Sequence, residues 1–193
     1  MLGIIALLVG ILMPALHRAR QQAQSTACRA NLQQIGQSLL IYANDNGGWM
    51  FPPSNGPLDG RPKEQYWPCL VFKPPVWNPP VLRCPADVDP VLECSYTLNK
   101  YLKAYQIRYH SKNLGSKNSS TVIVMGEKRS NAEGYYLDPG EYDLVVEPFR
   151  HGVTLKSNYL YLDLHVDSQA ETRIIDGVEP WNIPGATRPT TQP

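Results

Sequence analysis

The residues able to do chemistry are few. His151, Asp163 and His165, with Glu127 upstream, form the one constellation that invites a test, since an Asp and two His can ligate a metal or share acid–base work. Asp163 and His165 stand two apart in an alternating segment, His151 lies across an irregular stretch, and no nucleophile elbow, zincin or phosphate-loop motif accompanies them. The expectation is a non-enzyme, with no catalytic, cofactor-binding or metal residue, in which His151 and Asp163 make structural hydrogen bonds. The four cysteines are Cys28, Cys69, Cys84 and Cys94. Cys28 falls on an apolar helical stripe, where a small thiol packs as a hydrophobe. One bridge is expected among Cys69, Cys84 and Cys94, with Cys84 a member, if the domain faces an oxidising compartment. No C-x-x-C pair and no His at ligand spacing supports zinc.

The element that must carry everything else is the amino-terminal segment. Met1 to Leu16 is uncharged and apolar, and the chain continues past Pro14 into a polar stretch where Cys28, Leu32, Ile35, Leu39 and Tyr42 recur at steps of four and three. This spacing predicts one long helix over residues 1–44, apolar all round in its first half and amphipathic in its second. Ile4, Ile5, Leu7, Leu8, Val9, Ile11, Leu12 and Pro14 belong to the first half, suited to lipid or a helix bundle, while Leu32, Ile35, Leu39 and Tyr42 dock on a domain. Sixteen apolar residues fall short of the ~20 that span a bilayer, so a signal-peptide core or a buried helix are competing readings. Against cleavage, His17, Arg18 and Arg20 follow the run instead of a small-x-small site.

Three segments follow: residues 1–45 as the helix, 46–178 as one α+β domain, and 179–193 as a Pro/Thr-rich tail expected to be mobile. The 193 residues allow only one core besides the helix, and a net charge of +1 with pI near 7.7 leaves nucleic acid off the list of partners. Eighteen Pro and 14 Gly point to a loop-rich exported domain.

GIIALLVGILMPALHRAR followed by ACRANLQQIGQSLLIYANDNGGWMFPP resembles the amino-terminal region of bacterial type IV pilin-like proteins, in particular type II secretion pseudopilin-like chains with a prepilin-type cleavage and methylation signal. RCPAD with SYTLN, the TVIVMGE run, and Arg150-His151-Gly152 leading to Asp163 resemble later family motifs, the last an H-x9-DG signature. The resemblance implies a long amino-terminal helix packed on a small antiparallel sheet, and structural roles for Cys84, Glu127, His151, Asp163 and His165. It implies a subunit held in the inner membrane, its domain in the periplasm or in an extracytoplasmic filament. The partners implied are other pilin-like subunits and, indirectly, an assembly ATPase and platform. Ca²⁺ at Asp138, Glu141 and Asp143 is a further implication, although a solvated turn is the commoner outcome.

The chain departs from the family in two ways. Eleven residues instead of nine separate His151 from Asp163, and Leu164 replaces the glycine of the turn. The alternation from Tyr159 to Val166 reads as one unbroken strand, whereas the flanking residues resemble the family's hairpin, which is the reading preferred. The family's upstream leader, Gly-Phe-type junction and glutamate do not appear, and Arg18, Arg20 and Arg29 after the run place the domain in the cytoplasm by the positive-inside rule. The expectation is therefore a longer product whose basic leader restores the opposite orientation.

Asn44 to Gly48 is expected to stop the helix. Residues 49–80 hold nine prolines and Trp49, Phe51, Tyr66, Trp67, Phe72 and Trp77, an extended wrap whose rings are expected to cover the domain's own core. The alternative is an envelope-anchored module that binds a carbohydrate or surface ligand with the aromatics of 49–77. Leu98, Tyr101, Leu102 and Tyr105 suggest a short helix over 97–104; strands are expected at 121–125, 135–137, 142–146 and 173–175.

Overall fold

The computed structural model describes residues 2–48, 66–72, 79–100, 102, 120–137, 141–169 and 181. Helix α1, Leu2–Asp45, is a single 44-residue helix with Pro14 inside it, about 66 Å long at 1.5 Å per residue. It ends where Gly47 and Gly48 take positive φ and the Gly48 amide donates back to the Ala43 carbonyl at 2.6 Å. The docking stripe is Cys28, Leu32, Ile35, Leu39 and Ala43, all fully buried; Tyr42, expected on it, is only half-buried beside Ala43.

The stripe lies on a five-stranded sheet of β1 (Tyr96–Asn99), β2 (Ile123–Glu127), β3 (Tyr136–Leu137), β4 (Ser157–Tyr161) and β5 (Val166–Gln169), in the order β3-β1-β2-β4-β5. The architecture is α+β as expected. The sheet is mixed, however: β3 runs parallel to β1, and the other pairs are antiparallel. Both faces are covered. Leu98, Val124, Leu160 and Leu162 pack toward the helix, while Ile123, Tyr159 and Tyr161 join Val145, Val146 and Trp181 on the other side. Helix and sheet come close at Gly36, where an added Cβ would sit 3.0 Å from a Leu160 methyl.

Several expectations change. β2 begins two residues late and keeps Gly126 and Glu127 inside it. The helix read over 97–104 is absent at its start, because Tyr96–Asn99 pairs with β2 and β3; Leu102 is buried, and the remaining residues of that stretch beyond Lys100 lie outside those described. Tyr142–Val145 is a turn of helix, α2, rather than a strand, and only Val146 bridges Lys128. Trp181, assigned to a mobile tail, is buried edge-on against Tyr159, its carbonyl accepting from Asn99 Nδ2 at 2.7 Å. The rest of that tail and the strand at 173–175 lie outside the described residues.

The segment after Tyr159 is the hairpin, with β4 and β5 paired from Ser157↔Gln169 to Leu160↔Val166. Leu164 takes φ of 72° in its turn, the glycine-like conformation the motif requires. The unbroken alternation arises because residues on both sides of the turn also face covered surfaces; half-buried Leu164 joins the helix-facing core.

Candidate functional site

The exposed half of α1 comes first. Ile4, Ile5, Leu7, Leu8, Val9, Ile11 and Leu12 are 48–68% exposed on the monomer, and no described part of the domain covers them. Among the described residues this is the one helix long and apolar enough to cross a membrane. Pro14 leaves it continuous.

Past Gln21 the helix is held by specific contacts. Gln24 and Asn31 side chains donate to the carbonyls of Pro85 and Arg83, at 3.1 and 2.9 Å, and Arg29 donates to the Val166 carbonyl at 2.9 Å. Between them Cys28 is bonded to Cys84, with Cα atoms 5.2 Å apart and a sequence separation of 56. This corrects the expected pairing: Cys84 is a member, but its partner is the helix cysteine, because the stripe presses Cys28 onto the Arg83–Pro85 loop. Cys69 and Cys94 remain thiols, and burial pushes the Cys94 thiol's pKa up.

Against the bridge lie two residues named from the sequence. His151 Nε2 is 3.8 Å from Cys84 Sγ and 2.9 Å from Glu127 Oε1, and both side chains are buried. Glu127 ends β2 and is held by Asn158 of β4, whose backbone amide donates to Oε2 at 3.0 Å and whose side chain donates to Oε1 at 3.2 Å. His151 is presented by the turn before β4, where Gly152 adopts φ of 90° beside Gln21 of the helix. Its Nδ1 has no hydrogen-bond partner among the described residues. Helix, loop, β2 and the pre-β4 turn thus meet at one buried junction.

A second polar cluster lies beside it. Arg150 pairs with Asp87 at 3.2 Å and donates to Ser130 and to the Lys128 carbonyl. The Lys128 ammonium donates to the carbonyls of Val91, Ala132 and Gly134 at 3.0, 3.1 and 3.2 Å. Three acceptors match its three protons, and burial lowers its pKa. Arg150 enters the sequence reading only as part of the motif around His151, and Lys128 does not enter it, since a buried Lys has no signature.

Asp163 and His165 do not join His151. They form a local pair on the hairpin turn, where Asp163 Oδ1 contacts His165 Nδ1 and His165 stacks on Tyr161 at 4.2 Å. The four-residue constellation is therefore two sites, one buried and one exposed. Asp138 lies outside the described residues, while Glu141 and Asp143 flank the start of α2. Of the aromatic wrap, Tyr66 and Trp67 are buried, Trp67 donating to the Tyr135 carbonyl at 3.2 Å, and Phe72 packs partly on the core. These rings cover the domain; Trp49, Phe51 and Trp77 lie outside the described residues.

No protein-family model, curated protein or solved structure matches the chain.

Proposed function

We propose that the chain is a structural, membrane-held subunit of a pilin-like assembly, with the first half of α1 in lipid in the resting subunit and among like helices in the polymer. The observation that carries this reading is the division of one continuous helix. Its second half is docked and bridged to the domain, while no described residue of the domain covers the large apolar side chains of its first half. At about 25 cal/mol per Å², keeping such side chains in water costs on the order of 10 kcal/mol, so lipid or neighbouring helices are their stable surroundings. A polymer whose core is made of these helices lets a subunit leave the membrane without exposing them. The resemblance of the amino-terminal sequence supports the pilin-like form of the assembly. The Cys28–Cys84 bridge supports a domain on the oxidising side of the membrane.

Ile5→Asp and Leu8→Asp test the anchor, because a carboxylate at mid-helix costs about 3 kcal/mol on insertion. Each variant is expected to leave the domain's melting temperature unchanged and to move the chain from the membrane to the soluble fraction. Normal fractionation of both variants overturns the anchor. Retained fractionation with lost inter-subunit cross-linking would place these residues in the polymer contact alone.

A further inference from the structure

Around the Cys28–Cys84 bridge, side chains of metal-ligating type converge. Cys28 Sγ, Cys84 Sγ, His151 Nε2 and a Glu127 carboxylate oxygen all lie within 4.8 Å of one another, and the four residues are buried. A tetrahedral Zn²⁺ ion, with sulfur at about 2.3 Å and nitrogen or oxygen at about 2.0–2.2 Å, spaces its ligand atoms about 3.3–3.8 Å apart. The sulfur–nitrogen distance of 3.8 Å already falls there, and the nitrogen–oxygen distance of 2.9 Å is short of it and must open by a few tenths of an ångström. Only the two sulfurs are far too close, and they are joined by a bond that reduction breaks.

The direction of the imidazole separates this reading from a thiol–base pair. In a nucleophile–His–carboxylate relay, the two ring nitrogens face the two partners separately. Here the same nitrogen, Nε2, faces both the sulfur and the carboxylate, and Nδ1 faces neither. Such convergence suits ligands around one centre, with Nδ1 carrying the ring proton. That Nδ1 lacks an acceptor among the described residues makes the site weaker than one with a held imidazole. The carboxylate, in contrast, is oriented by the Asn158 amide and side chain, as ligating carboxylates are.

We propose that the dithiol form of this junction is a Zn²⁺ site of Cys28, Cys84, His151 and Glu127, and that zinc and disulfide are alternative closures of the same contact. The proposal does not depend on what the apolar half of α1 does. On binding, the two thiols release two protons to solvent and each thiolate donates to the ion. Conversion to the bridged form needs a disulfide-bearing oxidant, a protein or a small molecule. The two cysteine sulfurs supply two electrons and form the Cys28–Cys84 bond, and the oxidant's S–S bond breaks. Two protons from water then complete its two thiols, and Zn²⁺ leaves. A chain made under reducing conditions thus holds its helix to the loop by the metal, and one that has met an oxidant holds it by the covalent bond.

The test uses the full chain in detergent, reduced with a phosphine and titrated with Co²⁺, then with Zn²⁺. One Co²⁺ per chain is expected, with the sulfur-to-cobalt charge-transfer band and visible bands of a tetrahedral site, both displaced by Zn²⁺. The oxidised chain should show neither. The double variant Cys28→Ser/Cys84→Ser should abolish the charge-transfer band, whereas its persistence would assign the signal to Cys69 or Cys94 and overturn the proposal. His151→Gln and Glu127→Gln should each weaken binding more than about tenfold, and unchanged affinity in both also overturns it. A readout free of substitutions covers variants that fail to fold: Zn²⁺ should raise the melting temperature of the reduced wild type and slow alkylation of Cys28 and Cys84. No change, or an equal shift in the oxidised chain, overturns the site.

Discussion

Leu164 sits in a conformation that glycine favours, at φ of 72°, yet its side chain also covers the helix at Gly36, where an added Cβ would come 3.3 Å from a Leu164 methyl. Two effects of similar size oppose each other there. The left-handed backbone costs a non-glycine residue about 1–2 kcal/mol, and half-burying a leucine returns about 1 kcal/mol. Two substitutions separate them. Leu164→Ala loses the packing and keeps the strain, while Leu164→Gly loses both, so the Gly variant should be the more stable of the two by about 1 kcal/mol. Urea midpoints of the pair decide it, and an Ala variant as stable as the Gly variant would place residue 164 outside a strained turn. The flanking motif made this hairpin legible; the alternation of Leu160, Leu162, Leu164 and Val166 hid it, because that pattern records which residues are covered and not where the chain reverses. The junction of Cys28, Cys84, Glu127 and His151 is only half legible: Glu127 and His151 stand in the constellation that the sequence singles out, and the two cysteines do not. Glu127 and His151 read as structural and Cys28 as a packing residue, and no local spacing connects residues that separate elements bring together.

Among the elements, the long helix was the easiest to read and the short ones the hardest. A stripe repeated over several turns has one physical interpretation, whereas Leu98 and Leu102 satisfy a helical step as well as they satisfy an extended chain, and pairing with β2 and β3 decides for Leu98. Tyr142–Val145 fails in the opposite sense, a β-like composition folded into one turn against Trp181. The bridge acts at this scale, since it closes a loop whose ends are 56 residues apart and ties α1 to the Arg83–Pro85 loop. By chain entropy a loop of that length stabilises the folded state by about 4 kcal/mol. Cys84→Ser, measured with a chelator present, should therefore lower unfolding free energy by about 2–4 kcal/mol, and wild type under reductant should match it. A variant as stable as the oxidised wild type would mean that the helix is held by its apolar stripe and the Gln24, Arg29 and Asn31 hydrogen bonds alone.

Over the molecule as a whole, buried tyrosines link stability to pH. Burial raises the pKa of Tyr96 and Tyr135, in both cases with neighbouring negative groups adding to it. Tyr161 is pushed up to about 12, by burial first and then by the charges of Asp167 and Asp163, against a hydrogen bond with Gln169. These phenols are spread over both faces of the sheet, so their effects act on the single α+β core. For each one the folded state keeps the proton more tightly than the unfolded chain does. The stability it contributes is complete below the ordinary value near 10 and is lost as pH rises from there toward the folded value, about 12 for Tyr161. The buried Lys128 ammonium works the other way, because its lowered pKa means that losing its proton relieves an unfavourable burial. With these three tyrosines, the likewise raised Tyr42 and the Cys94 thiol against one lysine, the expected outcome is a melting temperature that falls steeply between about pH 10 and 12. Tyr161→Phe removes one titrating group and should make that fall shallower without altering its direction. A melting temperature that holds level across this range, or a Tyr161→Phe variant with an unchanged slope, would show that Tyr161 is hydrated in the folded chain and that the surface of the hairpin is looser than its packing against Trp181's side of the sheet implies.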